Sequence, residues 1–106
     1  MKLFLLQLPL QSHDFFFSHE NIPLASAYLQ VIARQRGIEA ELPPSPLMSY
    51  GSDQAILQFL LNGQPDLVGL SCYQWNMERS LSLAKQIKRH LPRCTIVMGG
   101  PEIRPE

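Results

Sequence analysis

The chain has 106 residues, enough for a single domain with a modest core and too few for a second. Nine basic and nine acidic side chains give a formal net charge of zero with no run of five like charges, which excludes nucleic acid or an anionic membrane surface as the natural partner. No apolar stretch approaches the ~20 residues that cross a bilayer. The two cysteines, Cys72 and Cys94, lie 22 residues apart and match no metal-ligand spacing, so free thiols in a reducing, cytoplasmic setting are expected.

Lys2 to Leu8 reads as the first strand. Its apolar run is broken by Gln7 and Pro9 and is followed by no small-residue cleavage site, so it is not a signal peptide. A long connection, Leu10 to Asn21, then carries His13, Asp14, Phe15, Phe16, Phe17, His19 and Glu20, and its three phenylalanines call for packing on the domain itself or on a ligand. A helix is expected from about Pro23 to Arg36, with Leu24, Ala27, Tyr28, Val31 and Ile32 on its inner face and Gly37 closing it. Ile38, Ala40 and Leu42 alternate with Glu39 and Glu41, the pattern of a strand with one wet face near a sheet edge, and Pro43, Pro44 and Pro46 end it. Ser45 to Ser52 reads as a linker. The helix after it, Asp53 to Leu61, turns Ile56, Leu57, Phe59 and Leu60 inward and stops at Asn62-Gly63.

The last third carries the clearest signal. Leu67 to Cys72 is a short apolar run of the kind that forms a parallel strand covered on both faces. Asn76 is expected to cap the next helix through its side-chain oxygen, with Glu78 in the first turn, Lys88, Arg89 and His90 in the last, and Pro92 as the stop. Met77, Leu81, Ala84, Ile87 and Leu91 form its inward stripe. Thr95 to Met98 follows as a buried strand, and Gly99-Gly100-Pro101 turns the chain. The alternation predicts an α/β fold, a three-layer, Rossmann-like (flavodoxin-like) parallel sheet in the order 2-1-3-4. In that order ligands sit outside the carboxyl ends of the strands, where Leu8-Pro9, Ser71 to Asn76 and Gly99 to Glu102 converge.

Several chemistries are disfavoured at that rim. Leu8-Pro9-Leu10-Gln11 is no glycine-rich phosphate loop. The acidic residues of a phospho-acceptor domain are missing, since Pro9-Leu10 and Ser71-Cys72 stand in their places. Ser71 and Cys72 have neither a sequence-local histidine nor a G-x-S-x-G elbow, so no residue is assigned a catalytic role.

The rim Ser71-Cys72-Tyr73, continuing through Gln74-Trp75-Asn76 into a helix, with Gly99-Gly100-Pro101-Glu102 beginning 28 residues after Ser71, resembles the cobalamin-binding domain at the amino end of cobalamin-dependent radical S-adenosylmethionine enzymes. The resemblance implies that Ser71 lines a cavity for the dimethylbenzimidazole tail and that Gly99-Gly100 let the tail pass close to backbone. The cofactor contacts it implies are Pro9, Ser71, Cys72, Tyr73, Gln74, Trp75, Asn76, Gly99, Gly100, Pro101 and Glu102. The wider family's D-x-H-x-x-G, whose histidine coordinates cobalt, is absent, because neither Asp14 nor Asp53 has a histidine two positions on. The radical-enzyme branch commonly lacks it too, so cobalamin is expected without a histidine axial ligand and no residue is assigned to a metal.

The chain also ends at Glu106, before the fifth strand and final helix expected of a full domain, and has no C-x-x-x-C-x-x-C for an iron–sulfur cluster. Residues 1–106 are therefore expected to be an incomplete cobalamin-binding domain of a longer enzyme, whose cluster and S-adenosylmethionine belong to a downstream radical domain. The uncovered fourth strand or bare sheet face predicts a homodimer. Two competing readings are a cofactor-free α/β interaction domain and a thiol enzyme using Cys72.

Overall fold

A computed structural model describes residues 1–9 and 24–101. In chain order its elements are β1 (Lys2–Leu6), α1 (Leu24–Gln35), β2 (Glu39–Glu41), α2 (Ser45–Tyr50), α3 (Asp53–Gly63), β3 (Leu67–Ser71), α4 (Met77–His90) and β4 (Thr95–Gly99). The strands form one sheet in the order β2-β1-β3-β4, and each neighbouring pair is parallel, as the alternation of strand and helix predicts. Leu3 stands beside both Ala40 and Leu67, and at the carboxyl end Ser71 stands beside Gly99.

The core lies on one face of this sheet. Side chains two apart on a strand share a face, so Phe4, Leu6, Val68 and Leu70 point together and meet Ile56, Leu57 and Leu60 of α3 and Leu83, Ala84 and Ile87 of α4. Burying side chains of this size contributes roughly 1.5–3 kcal/mol each. Gly63 is needed in α3 because a Cβ there would stand 2.5 Å from a ring carbon of Phe4. Arg79 of α4 is ion-paired with Asp53 and donates to the Gly51 carbonyl at 3.0 Å, which locks α4 onto the start of α3.

Among the described residues the other face is only partly covered. It carries Leu3, Leu5, Leu67, Gly69 and Val97, and α1 packs over the β1–β2 side of it.

Several local expectations change. Ser45 to Tyr50 is the helix α2 rather than linker, because Pro46 falls in its first turn, where a missing N–H costs nothing, and Met48 anchors it in the core. In α1, Tyr28 and Val31 face solvent and Ile32 is 37% exposed, while small Ser26 and Ala33 sit against the sheet. That helix has apolar residues on every side, so their spacing could not choose a face. In α4 the buried stripe is Ser80, Leu83, Ala84 and Ile87, and Leu81 is exposed. Ser80 hid that stripe by being polar. The left-handed residue after α3 is Gln64 (φ 48°), not Gly63. β4 is half-open rather than buried, with Val97 49% exposed. β3 likewise buries Val68 and Leu70 on one face only.

Candidate cofactor site

Three chain segments meet at the carboxyl edge of the sheet. β3 runs out through Cys72, whose N–H donates to the Gly99 carbonyl at 2.6 Å, so the ends of β3 and β4 are held side by side. Gly100 then folds onto Cys72: its φ is 115°, and a Cβ there would lie 2.4 Å from the Cys72 carbonyl oxygen. Only glycine fits such a position. Gly99 differs, since a Cβ built on it meets nothing within 4 Å and its backbone opens onto free space.

From this edge a groove of about 510 Å³ runs across the open sheet face, between α1 and the strands β3 and β4. Ser71, Tyr73, Gly99 and Gly100 line its rim, Leu3, Leu5, Leu67, Gly69 and Val97 its floor, and Leu29, Ile32 and Ala33 its α1 wall, with Arg36 as the one charged side chain among the described residues. Its size is typical of ligand sites and its lining is mostly apolar. Of these lining residues the sequence singled out Ser71, Tyr73, Gly99 and Gly100 and not the floor. The available signal was Gly69 inside a strand, where a Cβ would come 2.9 Å from Leu5 Cδ2, a mark of close approach.

Ser71, Tyr73, Gly99 and Gly100 come together on the groove. Trp75 is half exposed and stacks on Tyr73, with ring centroids 4.6 Å apart and planes within 4°. Gln74 and Pro101 are exposed near the rim, and Pro9 is half-buried at the end of β1. Cys72 and Asn76 are fully buried beneath the rim, so neither offers a surface to a ligand. Glu102, His13, His19 and the aromatic connection lie outside the described residues.

Asn76 does not cap α4 through its side chain. Its Oδ1 turns back to accept from the Tyr73 N–H at 2.8 Å, and its Nδ2 donates to the carbonyls of Leu8 at 2.9 Å and Ser71 at 3.1 Å. An asparagine placed where a cap is expected can satisfy the preceding turn instead. Burial pushes the Cys72 thiol up, and the neighbouring Ser80 hydroxyl offsets only part of this. A buried thiol held protonated is the reverse of what thiol catalysis needs. Cys94 is also buried and free, near the opposite end of the sheet. His90, at the far end of α4, approaches the Gln86 carbonyl at 2.9 Å. Among the described residues no group of three or more His, Cys, Asp or Glu side chains forms a metal site. No helix among them is long and apolar enough to cross a membrane.

These features fit cobalamin: an apolar groove with room for a nucleotide-sized tail, an open backbone at Gly99, a hydroxyl at Ser71 and a flat aromatic pair at the mouth. Residues 17–106 match the family model of the B12 binding domain. The chain is 30% identical over 91 residues to the 2-(S-pantetheinyl)-carbapenam-3-carboxylate methyltransferase of Streptantibioticus cattleyicolor, covering 77% of this chain and 12% of that protein. Over 40 residues it is 42% identical to the cobalamin-dependent radical SAM methyltransferase TokK of Streptomyces tokunonensis, covering 38% of this chain and 6% of that protein. The chain thus spans a small fraction of the length of these relatives. No solved structure matches it. With its parallel β2-β1-β3-β4 sheet, the chain belongs to the B12 binding domain family and its cofactor is cobalamin.

Proposed function

We propose that this chain is the cobalamin-binding module of a longer cobalamin-dependent radical S-adenosylmethionine enzyme and that it holds cobalamin with no protein histidine on cobalt. The observation that carries the reading is the apolar groove opening at Ser71 and Gly99. Its floor and the α1 wall exclude water from the nucleotide tail, Ser71 Oγ offers a hydrogen bond at the mouth, and Gly99 lets the ligand approach backbone. The stacked Tyr73 and Trp75 present a rigid flat surface beside the opening. Pro9, Gln74 and Pro101 complete the proposed rim, while Cys72 and Asn76 support it from beneath. When bound, cobalamin supplies a cobalt centre for methyl-group chemistry, which agrees with the methyltransferase names of both relatives. The iron–sulfur cluster and S-adenosylmethionine belong to the radical domain of the longer enzyme. Buried free cysteines suit a reducing cytoplasm. We also propose a two-fold homodimer through the β4 edge or the bare sheet face.

The test is retention of hydroxocobalamin after incubation and desalting. Stoichiometric visible absorbance is expected, and its absence overturns the reading. His13→Ala and His19→Ala should leave the visible spectrum of the bound form unchanged, whereas a shift in either variant would place a histidine on cobalt.

A further inference from the structure

We infer that Asn76 is the positioning residue of the rim: it never touches the ligand, but it sets where the Tyr73–Trp75 pair stands and thereby the affinity for cobalamin. Asn76 is fully buried, and its side chain makes three hydrogen bonds to backbone. The two that Nδ2 donates reach chain segments far apart in sequence, the Leu8 carbonyl just before Pro9 and the Ser71 carbonyl at the end of β3. The third, accepted by Oδ1 from the Tyr73 N–H, closes the turn that carries the aromatic pair, and the Asn76 N–H donates to the Tyr73 carbonyl at 3.1 Å.

One amide therefore ties the ends of β1 and β3 to the turn between β3 and α4. The Cys72 N–H bond to the Gly99 carbonyl joins β4 to the same assembly. Tyr73 has its backbone N–H fixed by this amide, and Trp75 immediately precedes Asn76 in the chain. Only a primary amide can do all of this at once, since it has one accepting and two donating positions on a short planar group. Aspartate keeps the shape and the acceptor and loses both donors. It also sets a carboxylate against two carbonyl oxygens, so the groups it faced are left unpaired.

The experiment uses the whole 106-residue protein. Trp75 is the only tryptophan, so intrinsic fluorescence reports the rim without any ligand. Asn76→Asp should shift the Trp75 emission maximum and lower its anisotropy in the ligand-free protein. It should also weaken hydroxocobalamin binding by roughly tenfold or more, the size expected for losing two buried hydrogen bonds. Leu60→Ala, a core change remote from the rim, should lower the melting temperature at least as much while leaving emission and affinity within about twofold of the parent. If Asn76→Asp does not fold, Asn76→Ser replaces it, keeping an oxygen for the Tyr73 N–H and losing the reach to Leu8. The affinity arm rests on the cobalamin reading and the fluorescence arm does not, so failure of the parent to bind would overturn that reading while Trp75 still judges the brace. Unchanged Trp75 emission and anisotropy in a folded Asn76 variant would overturn the inference. So would an equal loss of affinity in Leu60→Ala.

Discussion

A Cβ on Gly99 meets nothing within 4 Å, whereas one on Gly100 lands 2.4 Å from the Cys72 carbonyl oxygen at a φ of 115°. The two adjacent glycines therefore differ: Gly100 answers to the fold, whereas Gly99 has open space beside it and is the one proposed to admit the ligand. Gly99→Val should leave the melting temperature nearly unchanged and weaken hydroxocobalamin binding by roughly tenfold, a cost of ~1.4 kcal/mol. Gly100→Val should instead lower the melting temperature by ~4 °C or more, since a left-handed backbone alone costs about 1–2 kcal/mol per residue and a domain of this size shifts several degrees per kcal/mol. Ser71→Leu, which removes the rim hydroxyl and puts bulk into the groove mouth, should behave like Gly99→Val. Binding titrations paired with thermal melts separate the two classes, and equal melting losses at both glycines would refute the distinction. At this scale the sequence was informative about residue type and silent about direction. Ser71, Tyr73 and Gly99 were legible as rim residues because strand ends and glycine pairs mark themselves. Asn76 was legible as a helix start but not as a brace, because its partner at Leu8 is 68 positions away.

α3 shows the same division between pattern and context one level up. Its inward residues Ile56, Leu57 and Leu60 follow from their spacing, whereas its cap, Ser52, whose side chain accepts from the Ala55 N–H at 3.1 Å, was read as the end of a linker. Its end does not follow the usual rule. The left-handed turn falls on Gln64 because Gly63 is held inside the helix against the Phe4 ring. Gln64→Gly should therefore stabilise the protein by about 0.5–1 kcal/mol, read as a higher urea midpoint at unchanged slope. Gly63→Ala should do the opposite, because its methyl must displace the Phe4 ring or shift the helix. No gain from Gln64→Gly would mean that the strain is relieved elsewhere. The strand order was legible because parallel connections through helices admit few arrangements. The rotation of α1 was not, since Leu29 and Ile32 face the groove while Tyr28 and Val31 face solvent, and periodicity alone weighs the two sides equally.

The two margins of the sheet are built differently. β2 has three residues, two of them glutamates, and runs into Pro43-Pro44, which are features that discourage pairing. β4 offers Thr95-Ile96-Val97-Met98-Gly99, uncharged throughout and with Val97 half exposed. A two-fold dimer would set β4 against its antiparallel copy, and light scattering should then report twice the monomer mass at high concentration. Val97→Lys should return the protein to monomer, because a charge on an edge strand opposes pairing. A monomer at every concentration would contradict the assignment. The asymmetry also bears on how far such pairing can run. Among the described residues one edge is receptive, so a dimer through it would act as a chain terminator: each outer margin would be a glutamate-bearing β2 followed by prolines, with no described strand left as a template for a third copy. Association in such a dimer would saturate at two instead of growing into a fibre.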